Sequence, residues 1–218
     1  SNGGLIVAII SNAVTIADAG AVGGLGSLTL IKTITLSSAA STVSFVDGAS
    51  SVVFDDTYPL YKIEYINIHM AAHNANAAGG LNFNVSVDTG SNYNVAKTST
   101  AFTAYHAEND SGAGMGYNVS NDAAQITAAI PLSGQIMTDN DASVSGEVYF
   151  FNPSSTVFTK HFMSSNQRMD KSSTPRYSNI YKVAGYANTT SAVDAVQFSS
   201  WSGNIDSGVF KLYGIKDS

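Results

Sequence analysis

Three side chains able to ligate a divalent cation stand at alternate positions of Ala104-Tyr-His-Ala-Glu-Asn-Asp110: His106, Glu108 and Asp110. An imidazole with two carboxylates is a donor set for such an ion. On an extended strand all three leave the same side, yet Cα atoms two residues apart are ~6.6 Å apart, which strains a shared ion unless the chain curls. A polar strand end entering a loop is the stronger reading. Asp139-Asn-Asp141 followed by Ser143 has the opening of a calcium loop, D-x-D-x-S, without the Gly after it or the acidic twelfth residue. Asp139 and Asp141 are candidates for an irregular calcium site, set against an ordinary turn composition. His69 and His73 have the i, i+4 spacing of a helical zinc pair. His69 ends a strand, residues 71–80 read as a loop and the accompanying Glu is missing, so the pair does not support a zinc site.

Catalytic signatures are missing as well. No G-x-S-x-G elbow and no P-loop occur. The Gly-rich stretch 20–26 follows a β-like Ala13-Val-Thr-Ile-Ala17, but no helix with an acidic residue comes after it at dinucleotide spacing. With no cysteine, thiol chemistry and disulfides are excluded. Asp55-Asp56 is the one adjacent carboxylate pair and reads as a turn feature. The expectation is a non-enzymatic chain with no cofactor and no metal. Flat faces for sugar stacking are offered by Trp201, beside the closing turn, and by the loop tyrosines Tyr58, Tyr93, Tyr117 and Tyr177. Edge packing under a loop is the weightier reading of each.

Composition narrows the partners. The 218 residues carry a net charge of −6, and only 12% are charged, about half the usual share. The ten basic residues are scattered, apart from Arg168, Lys171 and Arg176, whereas nucleic-acid affinity rests on clustered Lys and Arg. No run reaches the ~18 apolar residues of a membrane-spanning helix. Leu5-Ile-Val-Ala-Ile-Ile10 comes closest and lacks the basic flank of a signal peptide. Neither nucleic-acid binding nor membrane insertion is expected.

The elements that must position these residues are strands. Runs at 27–36, 42–46, 60–70, 81–88, 99–106, 124–130, 143–151, 157–164, 181–187, 193–199 and 208–215 are β-type, and helical periodicity is scarce. Leu81-Asn-Phe-Asn-Val-Ser-Val87 alternates without a break. Lys62-Ile-Glu-Tyr-Ile-Asn-Ile68 alternates with one irregularity at Tyr65-Ile66, the mark of a bulge. In the closing run, Val209, Lys211 and Tyr213 point one way and Phe210 and Leu212 the other, with Ile215 joining the first set unless Gly214 kinks the strand. Turn residues at 46–48, 78–80, 88–91, 139–141, 152–154 and 203–206 separate the runs. This pattern predicts an all-β, antiparallel sandwich, jelly-roll-like, with an up-and-down barrel as the alternative.

Two regions break the rhythm. Residues 1–26 are apolar and Gly/Ala-rich, with Asp18 as the lone charge. They read as an extended arm for docking or oligomerisation through Leu5, Ile6, Val7, Ile9, Ile10, Val14 and Ile16, ahead of a single sandwich domain over 27–218. A first strand tucked into its own sandwich is the competing reading. Residues 164–179 hold the densest charge and read as a long exposed loop.

The ending Ser207-Gly-Val-Phe-Lys-Leu-Tyr-Gly-Ile-Lys216 resembles the C-terminus of a broad set of tailed-bacteriophage virion proteins, of the tail-fibre and structural kind. Ile31-Lys-Thr-Ile-Thr-Leu36, Ser44-Phe-Val-Asp-Gly48, Phe54-Asp-Asp-Thr-Tyr58, Ile66-Asn-Ile-His69, Phe150-Phe-Asn-Pro-Ser-Ser155 and Ala184-Gly-Tyr-Ala-Asn-Thr-Thr-Ser-Ala192 share the likeness, which spans about 31–216 and leaves out what precedes it. These are scaffold motifs with no chemistry attached. The resemblance implies a structural component of a tailed-phage virion, exposed on the particle surface as a fibre or capsid decoration. Such a protein would self-associate, with a homotrimer expected first, and contact other capsid or tail proteins. The alternative is a receptor-binding module for host-surface glycans, with Trp201, Tyr93, Tyr117 and Tyr177 as its contacts.

Overall fold

The computed structural model describes residues 8–11, 14–18, 28–74, 77–137, 139, 141–169 and 175–216. Its elements are β1 (Ala8–Ser11), β2 (Val14–Asp18), β3 (Leu28–Leu36), β4 (Thr42–Val46), β5 (Leu60–Met70), β6 (Ala72–Asn74), β7 (Ala77–Ala78), β8 (Leu81–Ser86), β9 (Lys97–Ala107), β10 (Ala113–Tyr117), β11 (Ala123–Ile126), β12 (Ile130–Pro131), β13 (Val144–Phe151), β14 (Lys160–Met169), β15 (Tyr177–Ala187), β16 (Ala195–Ser200) and β17 (Ile205–Ile215). All strand pairings are antiparallel.

Two sheets face one another. The larger runs β10-β9-β15-β14-β13-β5-β17-β3, with β11 also on β9, and the smaller runs β12-β8-β16-β4. The chain crosses from β3 to β4 on the way out and from β16 to β17 on the way back. Because β3 pairs with β17 and β4 with β16, the two crossings lie alongside each other, the nested arrangement of a jelly roll. The sandwich is therefore the right one of the two expected architectures, and no barrel closes among the described residues.

Alternation decides which side chains fill the space between the sheets. Tyr61, Ile63, Tyr65, Phe150, Phe162, Phe210 and Leu212 point inward from the large sheet, and Val43, Phe45, Phe83, Val85 and Phe198 from the small one, all buried. Phe83 lies at the centre, with ring centroids 5.5 Å from Phe162, 5.8 Å from Phe198 and 6.1 Å from Phe150. Phe210 and Leu212 are fully buried, as the closing run predicts. Ile215 keeps the alternation and pairs with Leu28 and Leu60, so Gly214 does not kink the strand. Instead Gly214 leaves room for the ring of Tyr58, which a Cβ there would overlap. The bulge expected in β5 is present. Ile66 and Asn67 are skipped in the pairing with β13, and Asn67 takes φ +51°.

Two expectations need correction. Residues 164–179 are not one exposed loop: β14 continues to Met169 and β15 begins at Tyr177. The inward positions there are Ser164, Asn166, Arg168 and Asn179, so a polar interior replaces the apolar alternation that marks a strand in the sequence. The run expected at 124–130 is two short strands, β11 and β12, on different sheets. In β8 both sets of the alternation are buried. Asn82, Asn84 and Ser86 are buried, and Asn84 donates to the carbonyls of Tyr93 (2.7 Å) and Thr127 (3.3 Å) in segments that cover its outer face.

Candidate functional site

The residues singled out for metal binding are not brought together. His106 Nε2, near the end of β9, meets Asp110 Oδ1 of the following exposed turn at 3.1 Å, and Asp110 takes φ +59°. Glu108 and Asp141 border one shallow depression together with Tyr177. Asp139 accepts from Arg176 Nη2 at 2.6 Å and is occupied by that ion pair. Among the described residues no three His, Asp or Glu side chains come close enough to share an ion. His69 reaches Asp206 Oδ1 at 2.7 Å through Nδ1 and the Asp139 carbonyl at 3.1 Å through Nε2. It thereby ties β5, β17 and the 139 turn together.

The four aromatics named for glycan contact are also dispersed. Tyr93 is half-buried beneath the 88–96 loop, and Tyr177 packs edge-on against Tyr105 at 5.7 Å. Tyr117 is exposed on β10 with its hydroxyl on Asp122 Oδ2 at 2.8 Å. Trp201 lines a cavity of substantial size.

That cavity, of about 470 Å³, opens beyond the β12 edge of the small sheet, over the polar stretch of β14 and β15. Arg168 of β14 lies 5.0 Å over the ring of Tyr181 of β15, and it donates to the Gln135 carbonyl. The Tyr181 hydroxyl accepts from Asn118 Nδ2 at 3.0 Å. Asn121 Nδ2 donates to the Ser133 carbonyl at 3.2 Å, and Asn166 Nδ2 donates to the Leu132 carbonyl at 2.8 Å. The segment after β12 is thus fixed by side-chain amides to β14 and to the 118–122 loop, which Asn118 in turn ties to β15. Two glycines shape the space. A Cβ on Gly134 would lie 2.5 Å from Arg168 Nη2 and 2.6 Å from the Tyr181 hydroxyl. A Cβ on Gly80 would lie 2.6 Å from Trp201 Cη2, so the indole edge rests on bare backbone. Of this group, the sequence reading names Trp201 as a ligand contact and places Arg168 in an exposed loop; Tyr181, Asn118, Asn121 and Gln135 carry no local signal.

A second feature lies on the outward face of the large sheet. Leu28, Ile215, Leu60 and Phe151 stand in one row across β3, β17, β5 and β13. The next row holds Leu30, Tyr213, Lys62, Tyr149, Met163 and Ala184. Leu30 and Met163 are 52% and 55% exposed, so the band is open to solvent among the described elements. At Gly185 it deepens into an apolar hollow of about 600 Å³ between Phe151, Met163 and Tyr186. A mixed-charge strip borders the band. Glu64 and Glu147 oppose one another, and Lys62 bridges both at 2.9 Å. Burial pulls the Lys62 amine down, but the hydrogen bonds to Glu147 and Glu64 outweigh it and hold the amine above its ordinary range. Of the residues assigned to the docking arm, Leu5, Ile6 and Val7 lie outside the described residues. Ile9, Ile10, Val14 and Ile16 fall on a two-stranded ribbon, β1–β2, that pairs with neither large sheet nor small.

Two buried lysines lie at the end of the strands away from Arg168, one row beyond the apolar hollow. Lys97 and Lys160 flank Ala187 in one row across β9, β15 and β14. Lys97 Nζ donates to Asn84 Oδ1 (2.6 Å), the Val95 carbonyl (2.7 Å) and the Thr127 carbonyl (3.3 Å). Desolvation lowers its pKa to about 8. Lys160 Nζ donates to the carbonyls of Phe158 (2.6 Å) and Thr189 (3.2 Å), and burial lowers it too. Each amine closes a loop by satisfying carbonyls.

No family model, no curated protein and no solved structure matches the chain.

Proposed function

We propose that the chain is a non-enzymatic building block of a tailed-phage virion, exposed on the particle as a fibre or decoration and assembled from its own copies. The observation that carries this reading is the apolar and aromatic band on the large sheet, uncovered among the described residues. A contiguous apolar face of this kind marks an interaction surface on a soluble domain. Its occupant is the apolar segment 5–16 of a neighbouring copy. Two facts support that choice: the segment's composition matches the band, and residue 28, where the chain enters the large sheet, lies in the band's own end row. Exchange of such segments around a cyclic axis buries one band per copy, and a trimer is the expected ring. The virion assignment rests on the sequence resemblance over 31–216. The test is the solution mass of the full chain against a chain lacking residues 1–26. The reading expects a trimer that becomes a monomer on deletion, and equal masses for the two chains would overturn it. Met163→Glu, at an exposed position in the band, is expected to weaken association without unfolding the domain.

A further inference from the structure

We propose that the cavity between Trp201 and Arg168 binds a neutral pyranose unit of a surface polysaccharide, with the sugar ring laid on the indole and its hydroxyls held by Gln135 and Ser120. The proposal is independent of the assembly reading, since the cavity and the apolar band lie on different faces of the fold.

The lining has the chemistry that a sugar requires. A pyranose presents a patch of C–H groups on its ring face and hydroxyls around its rim. The C–H patch suits the negative face of an aromatic ring. The single tryptophan of the chain is 41% exposed at the cavity mouth and seated on Gly80. Around the rim, planar amides and hydroxyls can give and accept hydrogen bonds to neighbouring sugar hydroxyls. Asn118, Asn121 and Tyr181 are already fixed by bonds within the fold and give the wall its shape. Gln135 and Ser120 line the same space, and the Gln135 carboxamide and the Ser120 hydroxyl bond to no side chain or backbone group among the described residues. They are therefore available to a ligand. A volume of about 470 Å³ is within the range of small-ligand sites, roughly 300–1,000 Å³. The polar rim disfavours a purely apolar ligand. The net charge of −6 disfavours a polyphosphate.

Trp201 supplies its own readout, because it is the only indole and it lies in the site. The full chain is titrated with methyl glycosides of glucose, galactose, mannose and N-acetylglucosamine, and with oligosaccharides of each, while tryptophan emission is followed. The expected result is a saturable emission change with at least one sugar. Gln135→Ala is expected to weaken that binding about tenfold, the scale of one lost hydrogen bond to a ligand. Tyr177→Ala, outside the cavity, leaves it unchanged. Because Gln135 contributes no side-chain bond to the fold, its replacement leaves the fold intact, as circular dichroism would verify. A folded chain whose emission responds to none of these sugars, or a response that Gln135→Ala does not weaken, overturns the proposal.

Discussion

Lys97 shows how a single side chain sets the pH response of this fold. Its amine is held among carbonyls and a carboxamide, and burial lowers its pKa to about 8 from an ordinary value of about 10.4. Below pH 8 the amine is charged in both the folded and unfolded chain, and the folded state bears the cost of desolvation. Between pH 8 and about 10 the folded chain has released the proton while the unfolded chain still holds it, so stability rises with pH. Lys160, lowered for the same reason, adds in the same direction. Tyr65 acts in the opposite sense. Its hydroxyl is pushed up to about 12 by burial, so the unfolded chain ionises first and stability falls above pH 10. Urea midpoints measured from pH 7 to 11 are expected to pass through a maximum near pH 10, and Lys97→Met is expected to flatten the rising limb. A midpoint independent of pH from 7 to 10 in the unaltered chain would contradict this account. Little of it is legible in the sequence, where Lys97 looks like a solvated residue at a strand start; its burial comes from segments 93–96 and 127, which fold over it from elsewhere in the chain.

At the scale of elements, the strands that read clearly are those whose inward side chains are apolar. β5, β13 and β17 alternate because each buries one face against the small sheet, and their limits follow closely from the pattern. The second half of β14 and the start of β15 are hidden, since their inward residues are Asn166, Arg168 and Asn179 and no apolar period survives there. β10 is Ala- and Gly-rich at Ala113–Tyr117 and owes its strand form to pairing with β9 rather than to propensity. The cavity follows from the same cause: it is assembled from loops 118–121 and 131–135, strands β14 and β15, and the turn at 201, whose proximity no local pattern encodes. Two substitutions test the packing of elements. Phe83→Ala, removing the ring that contacts Phe150, Phe162 and Phe198, is expected to cost about 3–5 kcal/mol in chemical denaturation. Gly185→Ala places a methyl group against the Thr98 carbonyl and 2.8 Å from Phe162, where β15 pairs with β9. A loss of about 1–3 kcal/mol is expected from the overpacking. A cost below about 0.5 kcal/mol for either would show that the sheets yield more easily than this packing implies.

For the molecule as a whole, the described residues present one packed core, a polar cavity at an edge and an apolar band on the broad outer face. The core explains why the chain folds. The band has no occupant among the described elements, and covering it is what assembly would accomplish. The apolar character of residues 5–16 is plain in the sequence, while the surface it suits is visible only once β3, β17, β5, β13 and β14 lie side by side. The most direct measurement is the mass of the full chain and of the chain lacking residues 1–26, determined by light scattering after size exclusion at micromolar concentration. The account expects three times the monomer mass for the former and the monomer mass for the latter. A full chain that stays monomeric, or a truncated chain that assembles equally well, would contradict it.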